Sequence, residues 1–467
     1  MKKSNQALSE EYSTKLAVSY SVATVSDNIS YQTFTFLIFT FYYAVVGLNV
    51  NLITIGFILW SFWNAINDPL LGVLSDRTKS KWGRRKPYIV GGIIPLSIIL
   101  ILVWTPPIEG TQITIFIYFV IMIFLFDTFY TMFSMNQTSL FPEIFVDLDN
   151  RARANNILQT FSVIGLIFAF IAPSFFIPQY DNPQYFTNYM YAGVFMAILV
   201  LIFAAIFIKF GLKERPEYAM DSELAPPFFK SLKMTFTNKS FVTYIVASFA
   251  FWYTIGLLPT LTPLYCSFVL NIKDSMTISL LLGITFISAI CFMPFWRYIM
   301  IKFGVKKTVM LVLLLMIATL FPFMIISDFT GAIIAFILVG LGISGILFCR
   351  DPTIGAIIDE DESNTGIRRE ANYFSMIALS IRFTTIAIFL SIGIVFNSVG
   401  WAIFDPKGAT AETIFGLRLL MFIFPTIFLI IGMISISQFP ITQERYEQIK
   451  QSIEKLHVEK KSKLQKA

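Results

Sequence analysis

The chain has 467 residues, of which 56% are apolar and only 14% charged, against about 25% charged in an average soluble domain. Fifty Phe residues and a mean hydropathy of +0.71 exclude a water-soluble protein of this length and point to a lipid bilayer as the solvent. The single His (His457), three dispersed Cys (Cys266, Cys291, Cys349) and the lack of a GxxxxGK[ST] loop argue against His-based metal or acid–base chemistry, a disulfide framework and ATP-driven pumping. The composition thus speaks against an enzyme and against a resident cofactor. A net charge of +6 in such a chain sets membrane topology rather than binding nucleic acid.

Apolar stretches of spanning length are predicted near 17–47, 53–75, 88–105, 113–141, 156–177, 189–210, 241–270, 277–300, 307–326, 331–358, 371–399 and 413–437. These twelve are numbered spans 1 to 12. With both termini cytoplasmic, the inside links hold about thirty of the 35 Lys and Arg, and the outside links hold only Lys273 and Lys407. The longest internal polar stretch, 211–240, with Pro216, Pro226 and Pro227, separates six spans from six. The expected division is a bundle over 1–210, a cytoplasmic linker over 211–240, a second bundle over 241–440 and a tail over 441–467. The tail, with Ile, Leu and Val at helical intervals among Lys and Glu, is predicted to be a short surface helix. The fold class is therefore an all-α membrane protein of twelve helices in two pseudo-symmetric six-helix bundles, expected in the cell membrane as a monomer whose partners are the bilayer and a small-molecule substrate.

Ionisable groups inside spans are costly and are functional candidates by default. Span 1 carries Asp27 and Tyr31, one turn apart, and Asn28 and Gln32, likewise. In span 2, Trp60, Trp63, Asn64, Asn67 and Asp68 fall on one helical face. Asn64 and Asp68 can share a ligand, and Pro69 frees the carbonyl of Ala65. A carboxylate with neutral oxygens around it suits Na⁺, and the carboxylate alone can carry H⁺; a buried Asp that merely pairs for stability is the competing account. The loop after span 2 holds Gly72, Asp76, Arg77, Gly83, Arg84 and Arg85. The loop after span 8 repeats part of it: Arg297 precedes Gly304 by seven residues, as Asp76 precedes Gly83, and basic residues follow each glycine. Gly allows a tight turn there and the basic cluster anchors to acidic headgroups. A conformational latch and a plain topology anchor both fit this loop.

Span 4 carries Asp127, Tyr130, Thr131, Ser134 and Thr138 along one face, and span 5 opens with Asn155, Asn156, Gln159 and Thr160. Polar glue between helices competes with a solute cavity for these groups. Span 7 contains Pro259 and Pro263, which predict a bent or broken helix. Arg350 and Asp351 lie in span 10, and Arg382 lies near the middle of span 11, where it must pair or reach water.

The loop after span 2 resembles the corresponding motif of the major facilitator superfamily. Asn64–Gly72 (NAINDPLLG) with Ser75–Ile89, YYAVVGL at Tyr42–Leu48, SLFPEI at Ser139–Ile144 followed by Arg151, and Asp359–Phe374 resemble, in order, the glycoside–pentoside–hexuronide:cation symporter family. That resemblance implies a major facilitator fold and cation symport of a sugar or glycoside by alternating access. It implies acidic residues on helices 1, 2 and 4, an Arg on helix 5 and a Lys on helix 11 at the sites. Carried over, the second helix-2 Asp is Asp68 and the first falls at Asn64. The helix-1 Asp falls at Asn28, with Asp27 adjacent. The helix-4 Asp falls at Ser134 and a Trp at Thr138, while the helix-5 Arg falls at Gln159 and the helix-11 Lys at Arg382.

The resulting assignment gives Asp68, Asn64, Asp27 and Asn28 to a coupling Na⁺ or H⁺, and Ser134, Thr138, Gln159, Asp127 and Arg382 to the solute. The departures at Asn28 and Ser134 weaken recognition of sugar hydroxyls. Two alternatives in the same fold are a transporter of an amphipathic, lipid-like solute and an uncoupled uniporter. A membrane-embedded enzyme or scaffold lacks support.

Overall fold

In hydrocarbon every backbone N–H and C=O must be satisfied within the chain, so long apolar runs become helices. The computed structural model describes residues 13–78, 80–145, 148–214, 237–366, 370–406 and 409–466, and every regular element among them is helical. The first six helices are α1 (Thr14–Thr40), α2 (Val50–Arg77), α3 (Lys86–Leu102), α4 (Gln112–Ile144), α5 (Leu148–Ile171) and α6 (Phe186–Ile206). α7 is Lys239–Val269. Ser275–Leu320 is helical throughout except at Gly304, which divides it into α8 (275–303) and α9 (305–320). α10 is Phe329–Thr365, α11 is Glu370–Ser398, α12 is Ala411–Ser437 with an inner π turn at Leu419–Ile423, and α13 is Gln443–Lys466. π turns also close α1 (Phe41–Val45) and α6 (Phe207–Gly211).

The links supply the helix starts. The side chains of Ser13, Thr111, Asn238, Asp274, Asp328 and Thr410 accept backbone N–H groups at the first turns of α1, α4, α7, α8, α10 and α12. Each takes up one of the donors that a helix start leaves without an internal partner. α7 runs unbroken through Pro259 and Pro263, which leaves a bend and not a break of the two expected alternatives. The Thr260 and Thr262 hydroxyls donate to the carbonyls of Gly256 and Leu258 in that stretch. Hydroxyls and neighbouring helices can re-satisfy groups near a membrane proline.

The chain forms two compact units. One comprises Met1–Phe41 and Phe62–Ala225, the other Tyr42–Ser61 and Pro226–Ala467. In the first, α1 packs on α5 and α6, and α3 packs on α4 and α6. Phe34 of α1 stacks on Phe126 of α4 at 3.9 Å between ring centroids. In the second, α7 packs on α11 and α12, and α10 packs on the α8–α9 arm. Hydroxyls bridge that last pair: Thr285 donates to the Phe336 carbonyl at 3.0 Å and Ser288 to that of Ile337 at 3.2 Å.

The second unit also takes in the N-terminal part of α2, which a division at 211–240 assigns to the first. There Asn51 and Asn397 exchange amide hydrogen bonds of 3.1 and 2.7 Å. Thr54 donates to the Phe389 carbonyl, and the rings of Phe57 and Phe389 stack at 3.5 Å. The linker expected over 211–240 lies mostly outside the described residues, as do Arg368, Arg369 and Lys407. Of the three cysteines, Cys266 and Cys349 are buried and Cys291 is exposed. The tail helix α13 is tied down: Ile449 and Ile453 are buried, and Ser363 donates to Ser452.

Candidate functional site

Helix α4 is the hub of the polar residues in the first unit. Asp127, Tyr130, Thr131 and Ser134 recur at helical spacing, so they form one ridge about 10 Å long at 1.5 Å per residue. Three carboxylates attach to it at successive turns. Asp127 itself is 1% exposed. It accepts from the side-chain amide of Asn64 and, at 3.0 Å, from that of Asn67, both on α2. One turn further on, Thr131 donates to Asp68 Oδ1 at 2.9 Å. On the α1 side, Asp27 lies beside the hydroxyls of Ser134 and Tyr130. Tyr31, one turn along α1, stacks on Tyr130 at 5.1 Å. Trp63 closes the α2 face, donating to Thr128 at 3.2 Å and stacking on Phe124 at 5.2 Å.

Two oxygens in this ridge are buried without a hydrogen-bond partner, Asp27 Oδ1 and Asn64 Oδ1. A buried acceptor left unpaired is costly, and in a native protein it marks a place for a ligand or water. Among the described residues no three His, Cys, Asp or Glu side chains converge as a metal-binding set. The carboxylates are strung along α4, where amides of α2 meet Asp127 and the Thr131 hydroxyl meets Asp68. Such a donor set (one carboxylate, amide and hydroxyl oxygens) suits a monovalent cation or a proton better than a divalent ion.

The remaining assigned residues fall in other places. Asn28 points to α5, where its amide donates to Ser162 at 3.1 Å and to the Thr24 carbonyl. Of the two adjacent α1 candidates, Asp27 is the one that joins α4. Asp127, assigned to the solute, has both oxygens taken by α2 amides, so its place here is to hold α2 against α4. Thr138 and Gln159 are exposed, with hydrogen bonds to Gln137 and Asn155 on their own helices. Arg382 lies half-buried on α11, in the second unit. Tyr130, Thr131 and Asn67 complete the ridge, and their signal is the shared helical face already visible in spans 2 and 4.

At the end of the same unit where α2 and α4 finish, the loop after α2 is held by two acids. Glu143, at the end of α4, pairs with Arg84 at 2.7 Å and Arg85 at 3.0 Å. Glu214, just beyond α6, accepts from the backbone N–H groups of Arg84, Arg85 and Lys86 at 2.6, 3.0 and 2.5 Å. It thereby caps α3, whose own N-cap residue supplies no side-chain bond. Gly83 has φ of +105°, and a Cβ there would lie 2.6 Å from the Glu214 carboxylate. Gly72 packs on Met135 of α4, Asp76 lies in the last turn of α2, and Arg77 is exposed. Glu143 and Glu214 carried no assignment from the sequence; the available signal was their place at the inner ends of spans 4 and 6, facing a basic loop.

Similarity to known proteins agrees with a carrier built this way. The chain is 23% identical over 443 residues to the sodium-dependent lysophosphatidylcholine symporter 1 of Gallus gallus, covering 86% of this chain and 81% of that one. It is 38% identical over 113 residues to an uncharacterized symporter of Synechocystis, covering 23% of this chain and 21% of that one. The crystal structure of the nucleoside transporter NupG superposes with a TM-score of 0.66 at 13% identity, covering 91% of this chain and all of that one. These are membrane transporters, and the structural match establishes the shared major facilitator fold. The profile of the MFS/sugar transport protein family matches residues 19–443, and the chain belongs to that family.

Proposed function

We propose that the protein is a cation-coupled symporter of an amphipathic, lipid-like solute, working by alternating access with both termini in the cytoplasm. The observation that carries the coupling is the pair of unclaimed buried oxygens, Asp27 Oδ1 and Asn64 Oδ1, on the ridge that also holds Asp68. A cation or proton arriving there satisfies oxygens that are otherwise buried at a cost. Because it binds one conformational state better than the other, it shifts the equilibrium between them. Asp68, held to the ridge by the Thr131 hydroxyl, is the carboxylate we assign to the coupling ion, with Asn64 one turn away and Asp27 across α4.

Two things favour a lipid-like solute. The positions where the glycoside–cation symporter pattern asks for a sugar-binding carboxylate and guanidinium are Ser134 and Gln159. The full-length relative from Gallus gallus is named for lysophosphatidylcholine symport. A sugar or glycoside is the second reading. It is favoured by the family's description and by the exposed neutral side chains of Thr138, Gln159 and Thr160.

The test is uptake into liposomes reconstituted with the protein, using lysophosphatidylcholine and a panel of glycosides, with and without Na⁺ or pH gradients. Gradient-driven uptake of the lysolipid that is lost in Asp68→Asn is the expected result. Glycoside uptake alone would favour the second reading. Uptake insensitive to either gradient would make the protein a uniporter, and unchanged coupling in Asp68→Asn would overturn the cation site.

A further inference from the structure

The second unit holds an ionic pair that the coupling ridge does not use. Arg350 and Asp351 lie side by side on α10, about 22 Å along the helix from its inner end at 1.5 Å per residue. They fall within an apolar helix long enough to cross the membrane. Arg350 Nε lies 3.5 Å from Asp351 Oδ1, and the side chains are 40% and 76% exposed. At that length the contact is poor as a hydrogen bond, and Arg350 Nε is buried with no hydrogen-bond partner. The guanidinium sits over the ring of Trp252 on α7, 5.7 Å from its centre. A carboxylate this open cannot face hydrocarbon without a large penalty, so this side of α10 borders water.

We infer that Arg350, Asp351 and Trp252 form the subsite for a zwitterionic, phosphate-bearing headgroup on the transported amphiphile. This rests on the lipid-like reading above and adds the headgroup chemistry to it. An exposed ion pair contributes little by itself, so a ligand can take over both charges at small cost. The planar guanidinium, 5.7 Å from the indole centre, presents paired donors that match phosphate oxygens. Asp351 then faces the ammonium of the same headgroup, and the indole face can take up part of that cation's charge. A neutral amphiphile gains none of these contacts.

The experiment is equilibrium binding to the full chain in nanodiscs, read by competition against a fluorescent lysophosphatidylcholine. The competing probes are lysophosphatidylcholine, monoacylglycerol of the same acyl chain, glycerophosphocholine (headgroup without tail) and lysophosphatidic acid (phosphate without ammonium). Arg350→Gln is expected to weaken lysophosphatidylcholine about tenfold or more, the size of a lost charged hydrogen bond, and to leave monoacylglycerol unchanged. Arg350→Lys should fall between. Competition by glycerophosphocholine in the wild type, absent in Arg350→Gln, separates a site for the headgroup from adhesion of bulk lipid. Asp351→Asn, at an exposed position that disturbs no packing, should shift preference towards lysophosphatidic acid severalfold, and it serves even where the Arg350 variants do not fold. Arg350→Gln with wild-type affinity for lysophosphatidylcholine, or Asp351→Asn with unchanged preference, overturns the subsite while leaving the lipid-like reading in place. A wild type that binds none of the acyl-chain probes overturns both.

Discussion

The loop after α2 and the loop after α8 are two copies of one turn, and they have diverged in charge. Gly83 and Gly304 both have positive φ, +105° and +74°. Each lies against the segment that leaves the sixth helix of its half. Gly83 meets Glu214 beyond α6, and Gly304 meets Gln443 beyond α12, whose Cβ lies 3.1 Å from the place a Cβ would occupy. In the first copy that neighbour is a carboxylate capping α3, and Arg84 and Arg85 are paired to Glu143. In the second copy the neighbour is neutral and the helix resumes directly after the glycine. Duplication has kept the backbone requirement, which only glycine meets cheaply. The electrostatic clamp belongs to the first copy.

Substitutions can break this comparison or sharpen it. The largest effect is expected from Glu143→Ala, which removes the carboxylate shared by two arginines whose side chains are about one-tenth exposed. Removing one partner of a buried pair costs about 3–5 kcal/mol, and thermal unfolding in detergent should show it as the steepest loss. Gly83→Ala combines a strained backbone with displacement of the Glu214 carboxylate, for about 2–3 kcal/mol by the same measurement. Gly304→Ala forces a Cβ onto φ 74°, ψ 174°, a region held almost only by glycine, against a side chain that can give way, so about 1–3 kcal/mol is expected. If Gly304→Ala equals or exceeds Gly83→Ala, backbone conformation rather than the Glu214 carboxylate sets the cost at this turn. Glu214→Gln should be mildest, about 1 kcal/mol, because the amide oxygen still accepts from the α3 start and only the charge is lost. A larger drop would mean that Glu214 acts chiefly through the neighbouring guanidinium charges.

The spans, the divided charge and the glycine repeat could be read directly because each depends on local composition or spacing. The shared face of Asn64, Asn67 and Asp68, and that of Asp127, Tyr130, Thr131 and Ser134, followed from helical periodicity alone. What periodicity could not decide was whether Asp27 or Asn28 turns towards α4. The two sit about 100° apart on a helix, and α1 has packed neighbours on most sides, so no apolar stripe fixes its rotation. Packing fixes it: Gly165 of α5 closes on Val25 and Asn28, which leaves Asp27 for α4. The pairing of Asp127 with two amides of α2 was likewise invisible, since a sequence shows which residues are polar and not which polar groups meet. Glu214 binds backbone N–H groups, which carry no residue signature. The basic stretch from Arg297 to Lys307 suggested a link between separate helices, yet one glycine suffices to break the rod there.

The two contacts at Gly83 and Gly304 also differ in when the growing chain can make them. Glu214 has been synthesised before any residue of α7 exists, so the loop between α2 and α3 can be locked while the second half is still on the ribosome. Gln443 follows all twelve spans. The turn between α8 and α9, and the apolar seat of Ile449 and Ile453, stay open until translation has passed α12. A chain stopped at Phe439 would leave that seat uncovered.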